Sequence, residues 1–185
     1  MKLEDDKIVI MCKDPGQMEL GIRHLIVQYK EKLYWQIKRI VEHHDDTEEV
    51  LQNVWIKIWQ NIGGFKGESA LSTWIYRITY NESISYIQGR KKQKLVDWET
   101  SETIVESQSE DKIFSHELYD KEAVLKKIEL AVEKLPHKQK LIFHYRYNEE
   151  MPYNQIADIT GTSEGALKAS FHHAVKKIEQ FIKKN

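Results

Sequence analysis

Apolar residues recur along this chain three and four positions apart, and almost nothing interrupts them. Three prolines and eight glycines in 185 residues leave little punctuation for strands or tight turns, whereas Leu, Ile, Lys, Glu and Gln are plentiful and sit in helical periods. The chain therefore reads as all-α. Residues 19–41 carry the fullest pattern: Ile22, Leu25, Ile26, Tyr29, Leu33, Ile37 and Ile40 fall on one face, which predicts an amphipathic helix of several turns.

Near the C-terminus the same spacing takes a more particular form. Residues 153–178, YNQIADITGTSEGALKASFHHAVKKI, predict two short helices joined by a tight turn. Ile156, Ala157 and Ile159 form an apolar face after Pro152, Gly161 supplies the positive-φ residue that ends the first helix, and Ser163 stands at the N-cap of the second. The second helix then starts at Glu164 and turns Leu167, Phe171, Ala174, Val175 and Ile178 to the core. Lys168, Ser170, His172 and Lys176 face away from it, as a recognition helix faces a DNA groove. A plain αα-hairpin within a helical domain also fits this stretch taken alone.

The net charge of −1 conceals a segregation along the chain. Residues 1–95 hold 15 Lys/Arg against 13 Asp/Glu, residues 96–122 hold 2 against 9, and residues 123–185 hold 11 against 7. The acidic middle also lacks a sustained apolar period, so residues 96–119 read as a solvated, flexible linker between an N-terminal domain over 1–95 and a C-terminal helix-turn-helix domain over 120–185. Two mildly basic lobes on an acidic tether fit a polyanion bound by both lobes and avoided by the tether. The single cysteine, Cys12, excludes an internal disulfide, and no apolar run approaches a membrane span. The acidic start is no signal peptide. These features point to a soluble protein of a reducing, cytoplasmic compartment, and nothing beyond Asn185 suggests a built-in regulator.

Two further segments of the first lobe carry surface information. In DDTEEVLQNVWIKIW the four acids at the start favour the helix dipole and supply caps, and Val50, Leu51, Val54, Trp55 and Ile58 make the core side. Asp45, Glu49, Gln52 and Ile56 then form an acidic-to-apolar stripe that the core does not need, with Trp59 nearby, suited to a basic helical partner. The neighbouring HHDD run, residues 43–46, reads as solvated turn residues, because adjacent side chains diverge and no second ligand cluster accompanies them. A Gly-rich loop with a lone aromatic, Phe65, next opens a helix capped by Ser72. Trp74, Ile75, Ile78 and Ile84 are its core side, while Tyr76, Arg77, Tyr80, Asn81, Ser85 and Gln88 interleave rings, amides and charge. Tyr76 and Tyr80 fit packing or base stacking equally. That combination beside a flexible loop suits single-stranded nucleic acid with an extruded base.

The succession DDTEEVLQNVWIKIW, then FKGESALSTWIYRITYNESISYIQGRKKQ, then an acidic linker, then LPHKQKLIFHYRYNEEMPYNQIADITGTSEGALKASFHHAVKKI closely resembles bacterial extracytoplasmic-function sigma factors, from Gln17 to Ile182 and in the family's order and spacing. The resemblance implies that Asp46, Glu49, Gln52, Asn53 and Ile56 dock on the clamp helices of the largest subunit of core RNA polymerase. It implies that the loop bearing Phe65, Lys66, Ser69 and Leu71 captures a base flipped from the non-template strand of the −10 element. Arg77, Tyr80, Asn81 and Ser85, with Arg90, Lys91 and Lys92 beyond them, would lie along the same DNA. Ser163, Glu164, Lys168, Ser170, His172, His173 and Lys176 would meet the −35 element. The acidic linker would run toward the RNA exit path, and an anti-sigma factor, commonly a membrane protein with a cytoplasmic helical domain, would cover both lobes. No cofactor, metal or catalytic residue is implied.

The chain departs from the family pattern in two places. Ser85-Tyr86-Ile87-Gln88 stands where many members carry an Asp followed by an Arg, and Ser170 and His173 stand where many carry Arg, which implies weaker attraction to phosphate. Two other function classes place different demands on a sequence. A stand-alone transcriptional regulator would need a dimer helix or effector pocket, and neither is evident. A nucleic-acid enzyme would need a phosphate-cradling loop, an HExxH or a Cys/His cluster, and the sequence has none.

Overall fold

The computed structural model describes residues 4–98 and 121–184, with side chains for 4–90 and 125–184. Eight α-helices account for nearly all of the described residues, and no strand occurs among them. The acidic linker expected over 96–119 has its first three residues in a helix, and the rest lie outside the described residues.

The N-terminal lobe opens with a helix that the sequence reading passed over. α1 (Asp5–Lys13) has Asp5 and Asp6 in its first turn and Lys13 in its last, an arrangement favourable to the helix dipole, and buries Ile8 and Cys12. It crosses α2 (Met18–Val41) so closely that a Cβ at Gly21 would lie 2.7 Å from Cys12 Sγ and 2.9 Å from Cys12 N. Only glycine admits that approach. α2 buries Leu25, Tyr29, Leu33, Ile37 and Ile40, as its periodicity predicts, with Ile22 and Ile26 half-buried.

α3 (His44–Asn61) buries Val50, Leu51, Val54 and Ile58, while Trp55 is half-buried. Its N-cap is His43, and no side chain caps it: Asp45 and Asp46 lie in the first turn and act there through the dipole. A 3₁₀ turn (Ile62–Gly64) leads through a loop to α4 (Leu71–Trp98). This helix starts one residue before Ser72, so Ser72 lies inside the first turn and is not the expected cap.

The C-terminal lobe consists of α5 (Lys121–Glu133), α6 (His137–Phe143), a π-helical turn (His144–Asn148), α7 (Tyr153–Thr160) and α8 (Glu164–Lys184). Gly161 ends α7 at φ 65°, its N–H bonded to the Ala157 carbonyl. Ser163 Oγ accepts from the Ala166 N–H at 3.4 Å at the start of α8. The helix-turn-helix and its turn lie where the sequence predicts, and α8 runs on past Ile178 to Lys184.

The two lobes do not stand apart. One continuous core runs from Leu25, Leu33 and Ile37 through Ile75 and Tyr76 to Ile142, Tyr145, Ile156, Ile159 and Leu167. α6 packs on α2 and α7 on α4. A smaller core of Ala131, Leu135, Phe143, Ala174 and Ile178 holds α5, α6 and α8 together. Each fully buried Ile or Leu contributes about 1.5–3 kcal/mol to such a core.

Candidate functional site

Three surfaces carry the residues singled out from the sequence. On α3, Glu49, Gln52, Asn53 and Ile56 are exposed on the side away from the core. Ile56 is 49% exposed and Trp59 58%, which makes an apolar end to an acidic and amide-bearing stripe. Asp46 does not belong to the free part of this stripe. Its carboxylate pairs with Arg90, and the Tyr86 hydroxyl lies 2.8 Å from Asp46 Oδ1 and 3.1 Å from Glu49 Oε2, placed to donate to either. The first turn of α3 lies against the middle of α4, so Asp46 turns to α4 and leaves Asp45, exposed, at the head of the stripe.

The second surface is the loop before α4 and the exposed side of that helix. Phe65 and Leu71 are only 8% and 4% exposed. Phe65 packs its ring on Trp74, with centroids 5.4 Å apart, and both residues belong to the main core. This corrects the expectation that they line an open pocket: an aromatic and a leucine beside a helix start are worth more to the core than to solvent. Lys66, Gly67 and Glu68 remain exposed, and Ser69 is half-buried. Gly67 takes φ 75°, a conformation that lets the loop reverse at its tip.

Along α4 the aromatic and polar groups sort by face. Tyr76 is buried, so its ring is not free to stack on a base, while Tyr80 is half-buried against the core. Burial raises the pKa of both hydroxyls, and both stay protonated. Arg77, Asn81 and Ser85 are exposed on the opposite side. Arg90 is exposed yet paired with Asp46, and the side chains of Lys91 and Lys92 lie outside the described residues.

The third surface is α8. Lys168, His172, His173 and Lys176 are exposed, Ser163 and Glu164 lie at the helix start, and Ser170 is half-buried. Lys168 is held in place by Glu164 at 3.4 Å and by the Tyr153 ring 5.6 Å from its ammonium. Its charge is therefore presented at the N-terminal part of the second helix, where such motifs touch base edges.

Among the described residues no group of His, Cys, Asp and Glu is arranged to hold a metal ion, and no helix is long and apolar enough to cross a membrane. In the HHDD run, His44 Nδ1 lies 2.8 Å from the Tyr34 hydroxyl, an intramolecular role for that ring.

The order of these surfaces, an α3–α4 pair followed by a helix-turn-helix, coincides with two family models. Sigma-70 region 2 matches residues 25–93, and sigma-70 region 4 matches residues 125–178. Region 2 followed by region 4 is the architecture of a promoter-directing RNA polymerase subunit. The chain belongs to the extracytoplasmic-function (ECF) sigma factors, and as such it directs RNA polymerase to promoters and initiates transcription. Its relatives include the ECF sigma factor SigW of Bacillus subtilis strain 168, 26% identical over 84% of this chain and 85% of the relative. The ECF sigma-E factor of Escherichia coli K12 is 27% identical over 98% of this chain and 95% of the relative. The fold is shared with the sigma factor RpoE in complex with the anti-sigma factor NepR from Bartonella quintana, at TM-score 0.63 and 21% identity over 87% of this chain and 96% of that one. It is shared also with CnrH in complex with the cytosolic domain of CnrY, at TM-score 0.65 and 14% identity over 98% of each chain.

Proposed function

We propose that the three surfaces divide the work of initiation. The α3 stripe of Asp45, Glu49, Gln52, Asn53, Ile56 and Trp59 docks on a basic helical element of core RNA polymerase. The loop of Lys66, Gly67, Glu68 and Ser69, with Arg77, Asn81 and Ser85 beyond it, holds the opened −10 element. The exposed side of α8 enters the major groove at −35. Strand separation is then driven by binding an unstacked base, which needs no chemistry from the protein, so the chain is not an enzyme and works in the cytoplasm. An anti-sigma factor is a further partner, by analogy with the complexes of RpoE and CnrH.

The single observation that carries the docking assignment is the exposure of Ile56 and Trp59 on a helix face flanked by Glu49, Gln52 and Asn53, well away from the core. Large apolar groups ringed by polar ones mark an interface centre. Run-off transcription with core polymerase on a promoter library tests the assignments together. The parent protein should produce discrete start sites, and variants at each of the three surfaces should lose them. A variant set in which every surface tolerates charge reversal would refute the division.

A further inference from the structure

A polar cleft lies apart from the three surfaces, where four segments of the chain converge. Its walls come from the start of α1, the middle of α2, the first turns of α4 and residues 149–155, and it has a volume of about 430 Å³. That size suits a small organic molecule. Tyr29 and Tyr76, each only 5% exposed, line it and meet edge to face with ring centroids 6.5 Å apart. The Tyr29 hydroxyl donates to the Asp5 carboxylate, 2.9 Å from Oδ2 and 3.0 Å from Oδ1. The Tyr76 hydroxyl has no hydrogen-bond partner among the described residues, and it opens on the cleft where the charges of Asp5 and Glu149 act on it. A polar group on so deeply buried a side chain requires a partner, and here the cleft has to supply it.

The charges that line the cleft do not cancel. Glu4, Asp5 and Glu149 stand against Lys32 alone. Asp5 is held by neutral donors, Gln28 Nε2 at 2.7 Å and the Tyr29 hydroxyl, and pairs with no described cation. Glu4, at the rim, pairs with exposed Lys7 at 3.2 Å. Lys32 reaches Glu149 only at 3.9 Å, near the limit of an ion pair, and the His144 ring on the other side of Glu149 is kept neutral by burial, its pKa lowered to about 4. Arg39 acts on Glu149 from beyond ion-pair distance and does not line the cleft. Carboxylates fixed in place and partly withdrawn from water attract a cation more strongly than solvated ones do. They are not gathered as metal ligands are, so a cation that satisfies Asp5 and Glu149 together has its charge spread along a chain. An aliphatic polyamine has that form. Its ammonium groups donate to the two carboxylates and to the Tyr76 oxygen, and its methylenes and charge lie against the tyrosine rings.

We propose that this cleft is a binding site for a small aliphatic polyamine, with Asp5 and Glu149 as its anions and the Tyr76 hydroxyl as a further acceptor. Bound there, the ligand bridges α1 and α2 to the segment ahead of α7, and its binding free energy adds to the stability of the fold. The site does not depend on which surfaces meet polymerase or DNA.

Spermidine, titrated into the full chain by calorimetry at constant ionic strength, is the probe, and magnesium chloride is the control cation. Spermidine should bind saturably, raise the melting temperature, and shift the side-chain amide resonances of Gln28 and Gln155, which line the cleft. Magnesium should shift neither amide. Asp5→Asn and Glu149→Gln should each weaken spermidine binding by about fivefold or more, and Tyr76→Phe, which removes a single oxygen, by about threefold. Lys32→Ala removes the competing ammonium and should tighten binding by about twofold, a gain that a misfolded variant does not imitate. The rival site is the acidic segment 96–122, with 2 Lys/Arg against 9 Asp/Glu. Affinity unchanged by Asp5→Asn and Glu149→Gln, with both glutamine amides unmoved, would assign the spermidine to that segment and overturn the proposal. Magnesium bound in the cleft as tightly as spermidine, or no saturation at about 5 mM spermidine, would overturn it as well.

Discussion

His144 gives the stability of the fold a pH dependence that can be worked through. Its ring is 12% exposed beside the half-buried Arg39, with Glu149 Oε1 3.5 Å from Nε2 and Asn148 on the same turn. Burial first, and then the Arg39 charge, lowers its pKa from 6.5 to about 4. Between those values the unfolded chain binds a proton that the folded chain refuses, so stability rises with pH across that window. The contribution is fully present above about pH 6.5 and is lost as pH falls toward 4, which amounts to about 2 kcal/mol between pH 7 and pH 5. Urea denaturation of the parent and of His144→Gln at pH 7, 6 and 5 checks it. Subtracting the variant's slope removes the carboxylates that titrate lower. The parent should lose about 2 kcal/mol more than the variant over that range. Identical pH slopes would show that Glu149 offsets Arg39 and that the ring protonates as freely folded as unfolded.

Further outcomes are expected. Ile56→Asp combined with Trp59→Ala should weaken core-polymerase binding by about 2–4 kcal/mol in a titration while the melting temperature stays within a degree or two of the parent's; unchanged affinity would remove α3 as the docking helix. Lys168→Ala should lower binding to −35 duplex and reduce the slope of log affinity against log salt by about one, with an unchanged slope excluding a phosphate contact. Phe65→Ala should cost about 3–5 kcal/mol of stability by opening a cavity beside Trp74. Lys66→Ala should leave the denaturation midpoint alone and reduce permanganate reactivity of the −10 bubble, and a stable Phe65→Ala protein would place that ring outside the core.

The helices of both lobes were legible because their apolar faces repeat over many turns, and the helix-turn-helix was legible to the residue because Gly161 and Ser163 mark its turn chemically. α1 was not, since its core contribution is two residues, Ile8 and Cys12, and its role depends on the close crossing at Gly21. Exposure of single side chains was harder to read. Phe65 and Leu71 look like loop residues in one dimension and are core in three, because Phe65 folds back on Trp74 and Leu71 is already the first residue of α4. Asp46 entered the docking set through the family resemblance, and a partner on another helix, Arg90 44 positions away, draws it inward. The packing of one lobe on the other had no signal in sequence, because residues such as Tyr145 and Tyr76 satisfy the periodicity of their own helices whether or not they meet.

The knot of Asp46, Tyr86 and Arg90 joins the first turn of α3 to the C-terminal half of α4, and thus ties a carboxylate on the helix proposed to dock polymerase to a cation on the helix proposed to meet the −10 element. Any basic group brought to Asp46 competes with Arg90, and any phosphate brought to Arg90 competes with Asp46. Linkage makes the two effects equal in size: if polymerase frees Arg90 by engaging Asp46, the promoter strengthens polymerase binding by the same free energy through freeing Asp46. Asp46→Asn should therefore raise the affinity of the free chain for −10 DNA and diminish the enhancement that polymerase adds, turning two coupled binding events into two independent ones.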